Sequence, residues 1–380
     1  MNDRISKPTE LDALLSRAVT GTLTRRELFR QAAVIGLSAS ALALLLEACG
    51  GAASQASTTG STAAPDLEAA RKEGTLVVLH GDIEGDVVKF VEAFTAKTGI
   101  QAIQQRLLPG SAMPKIEAEL RAAGSSEFDV YDTSDVSVME QLRKQGHLQP
   151  YVSKEMQAYE AKYKSNPEGY WSAYMINVAA IMYSTNYVKP EQAPKTYEDL
   201  LLPRWKQQVG FQDSSAGTQY AWWYLLKNKL PSDYWDKLAQ QKPHIYASST
   251  QMMQDVYRGE LLIGGKVSIF QHYQAIAAHQ PINVVIPETG APANLQVTGI
   301  IAGTKRPNAA KAYIDYLLSE EGQQKWADIE GNYSLRSGVT VPGVPPLSKV
   351  KLLMPTDDAD YELAANHTKF VQLWNHISGL

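Results

Sequence analysis

Cysteine is almost missing from this chain. Its 380 residues hold one, Cys49, so neither an intrachain disulfide nor a cluster of thiolate metal ligands is open to it. Basic runs are missing too, and a formal charge of −4 leaves no electrostatic footprint for nucleic acid. After Leu46 no apolar stretch approaches the ~20 residues needed to cross a bilayer, so a soluble body is expected. The Gly-x-Ser-x-Gly elbow, the His-Glu-x-x-His zinc pair and the Gly-x-Gly-x-x-Gly turn are all absent, and nothing specifies a catalytic constellation. No repeat of fixed period occurs. What is present is a globular composition, 44% hydrophobic with 19 Tyr and 7 Trp.

The stretch Thr24 to Cys49 fixes the address. Arg25 and Arg26 precede Gln31 to Leu46, sixteen residues without a charge, too short for a comfortable span. A cationic region, an apolar region and a small residue before a cleavage point read as an export signal. The context Thr-Arg-Arg-x-Leu-Phe resembles the twin-arginine route, which carries folded proteins, and Leu46-Glu47-Ala48-Cys49 resembles a lipobox. Lipidation of Cys49 would hold the chain at a membrane surface, each buried methylene contributing ~0.8 kcal/mol. The competing reading is an ordinary amphipathic helix with an incidental cysteine. Residues 1–48 are therefore expected to be the signal, and residues 49–66, rich in Gly, Ala, Ser and Thr, a flexible tether of ~20 Å reach. Loss of the signal, with its six basic and five acidic residues, leaves 332 residues at −5. That length exceeds what one core usually holds, so two lobes are expected.

In the mature chain, Thr75 to His80 is an apolar run of strand length, suited to a parallel strand covered on both faces. Val87 to Lys97 has helical spacing, Ile100 to Leu107 and Phe128 to Tyr131 are strand-like, and Ala112 to Ala123 and Val136 to Gln145 are helical. Strands alternating with helices predict a mainly parallel α/β sheet. Ligands collect beyond the carboxyl ends of such strands, which places His80-Gly81-Asp82 and Thr133-Ser134-Asp135 on one rim. Trp171 to Asn186, β-prone and without glycine or proline, is expected to leave the first lobe for the second. There, strand-like Gln208 to Phe211 is followed by Asp213-Ser214-Ser215-Ala216-Gly217-Thr218-Gln219-Tyr220 and an apolar helix. Ser, Gly and Thr entering a helix expose unpaired backbone N–H groups that favour an anion, or they are simply helix caps. Gly259 to Gly265 reads as a strand with a glycine exit, and Ile282 to Gly290 as the return to the first lobe. The expected lobes are 67–178 with 283–338, and 179–282 with 339–380.

Leu76-Val77-Val78, Phe90-Val91-Glu92-Ala93-Phe94 with Thr98-Gly99-Ile100, Phe128-Asp129-Val130, Gly259-Glu260, Ile286-Pro287-Glu288-Thr289-Gly290 and Ala310 to Ser319 occur in a familiar order. Together they resemble the extracellular solute-binding proteins of ABC importers, nearest to the ferric-iron, phosphonate, polyamine and thiamine binders. The resemblance implies a two-lobe periplasmic-binding fold of type II, with mainly parallel sheets, hinge strands and no cofactor. It also implies a solute held in the cleft, a membrane permease as partner, and action as a monomer without chemistry. In the iron branch a histidine, a glutamate and two adjacent tyrosines supply hard anionic or imidazole ligands. Here those positions hold Ile83, Ser134 and Phe270-Gln271, with His272 and Tyr273 nearby, so the set is incomplete and no metal site is expected.

The rims then offer His80, Asp82, Thr133, Ser134, Asp135, Ser214, Ser215, Gly217, Thr218, Tyr220, Gln271, Tyr273 and Arg336, the kit for an organic anion or small metabolite. Asp82, Glu84, Asp132 and Asp135 argue instead for an amine, and Trp222-Trp223 for a cation-binding wall or for one core and one surface residue. A ferric-iron binder of the same fold, a sensor subunit reporting to a membrane kinase and a secreted hydrolase are the rival functions.

Overall fold

The computed structural model describes residues 62–215, 217–355 and 364–379. The export signal, Cys49 and residues 49–61 of the expected tether lie outside the described residues. The first half alternates strand and helix: α1 (Leu67–Lys72), β1 (Leu76–His80), α2 (Glu84–Thr98), β2 (Ala102–Arg106), α3 (Pro109–Ala123), β3 (Val130–Thr133), α4 (Val136–Lys144) and the short β4 (Leu148–Gln149). Helix α2 forms because Val87, Phe90, Val91 and Phe94 recur at helical spacing and are buried, and it ends at Gly99, whose φ of 72° an L side chain rarely adopts.

After β5 (Ser172–Ser184) come β6 (Val209–Gln212), α5 (Gly217–Leu226), α6 (Tyr234–Gln240), β7 (His244–Tyr246), α7 (Ser249–Arg258), β8 (Ile263–Ser268), α8 (Ile269–Ala277) and β9 (Ile282–Val285). The chain then runs through β10 (Ala291–Ile301), α9 (Pro307–Leu318), α10 (Glu320–Glu330), β11 (Tyr333–Ser334) and β12 (Leu352–Leu353), and α11 (Ala364–Ser378) follows.

Two sheets share one strand. The first runs β2-β1-β3-β10-β5, parallel across β2, β1 and β3 and antiparallel where β10 and β5 enter. Strand β5 bonds to β10 through Val178 and to β8 from Ala179 onward, so one continuous strand passes from the first sheet into the second. The second sheet holds β8, β6 and β7 in parallel on one side of β5. Strand β9 pairs with the other side of β5 over Ile181–Ser184. Ile282–Val285 thus pairs within the second sheet, and residues 286–290 lead from it into β10. All of β5 is buried except Asn177, which accounts for its predominantly apolar sequence.

Each sheet has its own aromatic packing. Phe90 and Phe94 on α2 meet Tyr313, Tyr316 and Trp326 of the α9–α10 pair. Under the second sheet Trp222 packs edge-on against Tyr197, Trp235 and Trp374, and the Trp374 indole donates to the Gln212 carbonyl at 2.8 Å. Helix α11 is thereby fixed to the second sheet.

Candidate solute cleft between the sheets

A cavity of about 570 Å³ opens where the two sheets meet. The first sheet contributes Ser134, Asp135, Val136 and Ser137, the crossing strands Asn177, Ala179 and Pro292–Leu295, and the second sheet Thr218, Tyr220, Lys266 and Ser268.

On the first side, β3 ends in a turn that β-strand geometry alone cannot close. Thr133 Oγ1 accepts from the Asp135 amide at 3.1 Å, and Asp135 Oδ1 accepts from Ser137 Oγ at 2.7 Å and the Val138 amide at 3.1 Å. Asp135 is thus the N-cap of α4, and Ser134 and Ser137 are left on the cavity wall.

On the second side, β8 carries Lys266, whose side chain lines the cavity although the residue is only 4% exposed. Its neighbour Gly265 turns toward Phe211, where an added Cβ would lie 2.3 Å from the ring, and the β5 register shifts opposite this pair of residues. Lys266 Nζ donates to Thr218 Oγ1 at 2.7 Å. Among the described residues no carboxylate forms an ion pair with it, and burial pushes its pKa down to about 7. Tyr220, two residues further along α5, stacks on His367 with centroids 3.8 Å apart. Trp171 donates its indole N–H to Glu140 at 2.6 Å and Lys162 pairs with Glu160 at 2.9 Å, completing the wall.

Behind the first rim lies a second group of polar atoms. Tyr313 donates to Asp132 Oδ2 at 2.9 Å, and Gln296 donates to Asp82 Oδ1. Asp82 Oδ2, Asp132 Oδ1 and Glu330 Oε2 are buried and make no hydrogen bond of normal geometry among the described residues. Burial raises Asp132 to about 7 and Asp82 to about 6, and holds Glu330 well above the usual carboxylate range. In each case burial shifts the balance toward the neutral acid.

Of the residues expected at the rims, Ser134, Asp135, Thr218 and Tyr220 meet in the cavity. His80 is buried, with Nε2 against Gln104 Oε1 at 2.6 Å, and Thr133 supports the turn. Ser215 is exposed and closes on Asp213 through amide and hydroxyl. Ser214 lies in the same turn, and Gly217 opens α5. Gln271 caps α8 by accepting from the Ser268 amide at 2.9 Å and donates to Ser249 at 2.8 Å. Tyr273 donates to the Asp328 carbonyl at 2.9 Å. Arg336 is held by Glu155 at 2.9 Å and by the Leu318 carbonyl at 2.8 Å. The last three lie outside the cavity lining. Trp222 and Trp223 are both buried, at 0% and 5% exposure, so neither is a surface residue. Lys266 was not among the expected residues. The expected strand stopped at Gly264-Gly265, whereas β8 begins at Ile263 and continues through both glycines.

For a hard trivalent cation the lining offers Asp135 and Tyr220 as anionic-oxygen donors and His367 as an imidazole. Among the described residues no three His, Cys, Asp or Glu side chains converge closely enough to hold a metal ion.

The sequence profile of a family described as "Bacterial extracellular solute-binding protein" matches residues 125–356. "Iron uptake protein A1" of Synechocystis sp. is 25% identical over 264 residues, 65% of this chain and 71% of that protein. Iron-bound HitA from Pseudomonas aeruginosa superposes with a TM-score of 0.64 at 20% identity, over 81% of this chain and 100% of HitA. AfuA from Actinobacillus pleuropneumoniae, solved with exogenous fructose-6-phosphate bound, superposes with a TM-score of 0.62 at 22% identity, over 81% and 99%. These structures share the type II periplasmic-binding fold with this chain.

Proposed function

The chain belongs to the bacterial extracellular solute-binding proteins, and from that premise we propose that it captures a small polar or anionic solute in its cleft for an ABC importer. Binding would bring the two sheets together about β5 and β10, and the closed form would be the one a membrane permease recognises. The observation that carries the anionic part is Lys266, a buried lysine on the cavity wall whose recorded hydrogen-bond partner among the described residues is the Thr218 hydroxyl. A buried charge without a counter-ion is costly, and an anionic solute supplies the missing partner. The protein acts by binding and release without chemistry, as a monomer. Twin-arginine export of residues 1–48, lipid attachment at Cys49 and a tether at 49–66 complete this reading, on the strength of the sequence patterns there. The lobes are 67–178 with the chain from β10 to residue 338, and 179–285 with 339–380, a division favoured by the switch in pairing at Val178/Ala179.

A second reading, a ferric-iron carrier of the same fold, is favoured by the names of the relatives and by the presence of Asp135, Tyr220 and His367 in one lining. Thermal unfolding of the chain from Cys49 onward separates the two. A solute present at 100 times its Kd stabilises the folded form by ~2.7 kcal/mol. Organic anions are expected to raise the transition. A rise with Fe(III) alone replaces the first reading by the second, and no rise together with hydrolysis of a chromogenic ester rejects both.

A further inference from the structure

The cavity combines one buried cation with a larger apolar wall. Resting on the solute-binding reading above, we propose that the solute is an organic monoanion, a carboxylate on an apolar body, with the carboxylate on Lys266 Nζ and the body against Tyr220, Trp171 and Leu295.

Three observations carry this. The first is donor capacity: an ammonium has three N–H donors, and among the described residues one acceptor is recorded, Thr218 Oγ1 at 2.7 Å. Ser268, two residues along β8, also lines the cavity, and the Asn177 side-chain amide donates to its Oγ at 3.3 Å.

The second is charge balance. Among the described residues no arginine lines the cavity, and the other lysine there, Lys162, has a side chain 56% exposed and paired with Glu160. The facing wall carries the Asp135 carboxylate. A phosphate monoester, at a charge of about −1.5 to −2, would leave negative charge uncompensated opposite Asp135. One carboxylate neutralises one ammonium.

The third is the rest of the surface. Val136, Leu225, Leu295 and Met354 join the aromatic residues in a space of about 570 Å³. That lies within the ~300–1,000 Å³ of organic-ligand pockets and exceeds what an inorganic ion fills. The ionisable groups facing Lys266 across this space are Asp135, Lys162, Tyr220 and His367.

The test is calorimetric titration of the full chain at pH 6.5 with phenylacetate, phenylacetamide, phenyl phosphate and Fe(III). Phenylacetate is expected to bind roughly tenfold or more tightly than its amide, the scale of a hydrogen bond to a charged group, and more tightly than phenyl phosphate. Lys266→Met should erase the preference for acid over amide while keeping a cooperative thermal transition. If that variant misfolds, the wild-type comparison of acid, amide and phosphate still decides. Equal binding of acid and amide, tighter binding of the phosphate, or no heat from millimolar phenylacetate overturns the proposal. When Fe(III) or the phosphate ester binds in that last case, the solute-binding reading survives without it. When none of the four binds, that reading falls as well.

Discussion

Lys266 differs from a surface lysine because it is only 4% exposed, so its charged form loses most of its hydration. Burial lowers its pKa to about 7, so near neutrality the ammonium is half formed, and an anion must first draw a proton onto it. Affinity for a carboxylate is therefore expected to fall roughly tenfold between pH 6 and pH 8, with close to one proton taken up per anion bound at pH 8. Calorimetry in two buffers of different ionisation enthalpy measures that uptake. The Lys266→Met variant tests the assignment: if Lys266 is the counter-ion, the tenfold fall is lost in that variant. A wild-type profile already flat from pH 6 to pH 8 denies Lys266 that role.

At the scale of the element, β8 places this lysine, and its glycines decide how. Gly265 lets the strand lie against Phe211, where a Cβ would come within 2.3 Å of ring carbon. Gly265→Ala should cost ~1–3 kcal/mol by overpacking, read as a lower denaturant midpoint with unchanged slope, and should weaken solute binding by shifting Lys266. Stability equal to wild type would mean that the ring yields. The same glycines explain what was legible in the sequence. Periodicity located β1, α2 and β5 because burial on one face, or on both, writes a pattern into the residues themselves. It closed β8 early because glycine and lysine are poor strand formers in isolation; the strand is held by pairing on either side, Ile263 and Gly264 with β5 and β6 and Val267 and Ser268 with β5, while Gly265 and Lys266 fall at the irregularity in the β5 register. Tyr273, Arg336 and Gln271 had suitable chemistry, but their partners Asp328, Glu155 and Ser249 lie far along the chain, and local spacing cannot reveal such partners. Ser134, Asp135, Thr218 and Tyr220 were legible because loops at strand ends and helix starts are where α/β sheets gather ligands.

Across the whole molecule the two sides of the cleft carry opposite titrations. On the first side, Asp132 and Asp82 are raised to about 7 and about 6 by burial. A carboxyl whose folded pKa is raised contributes stability that is full below its unfolded value near 4 and is lost as pH climbs through the folded value. On the second side, Lys266 is lowered from 10.5 to about 7. Between those values the unfolded chain holds the proton and the folded chain does not, so stability rises with pH across that window. These groups together predict a minimum in the stability of the solute-free protein near pH 7, measurable as unfolding free energy from denaturant titrations between pH 4 and pH 10. Asp132→Asn should raise stability at pH 8, leave it near wild type at pH 4 and flatten the acid limb. Lys266→Met should raise it at pH 7 and flatten the alkaline limb. A bound anion that stabilises the charged lysine should lift the neutral region in the wild type and not in Lys266→Met. A curve that instead peaks at pH 7 would mean that the two groups are solvated in the open cleft, and that burial at Lys266 is a property of the closed form alone.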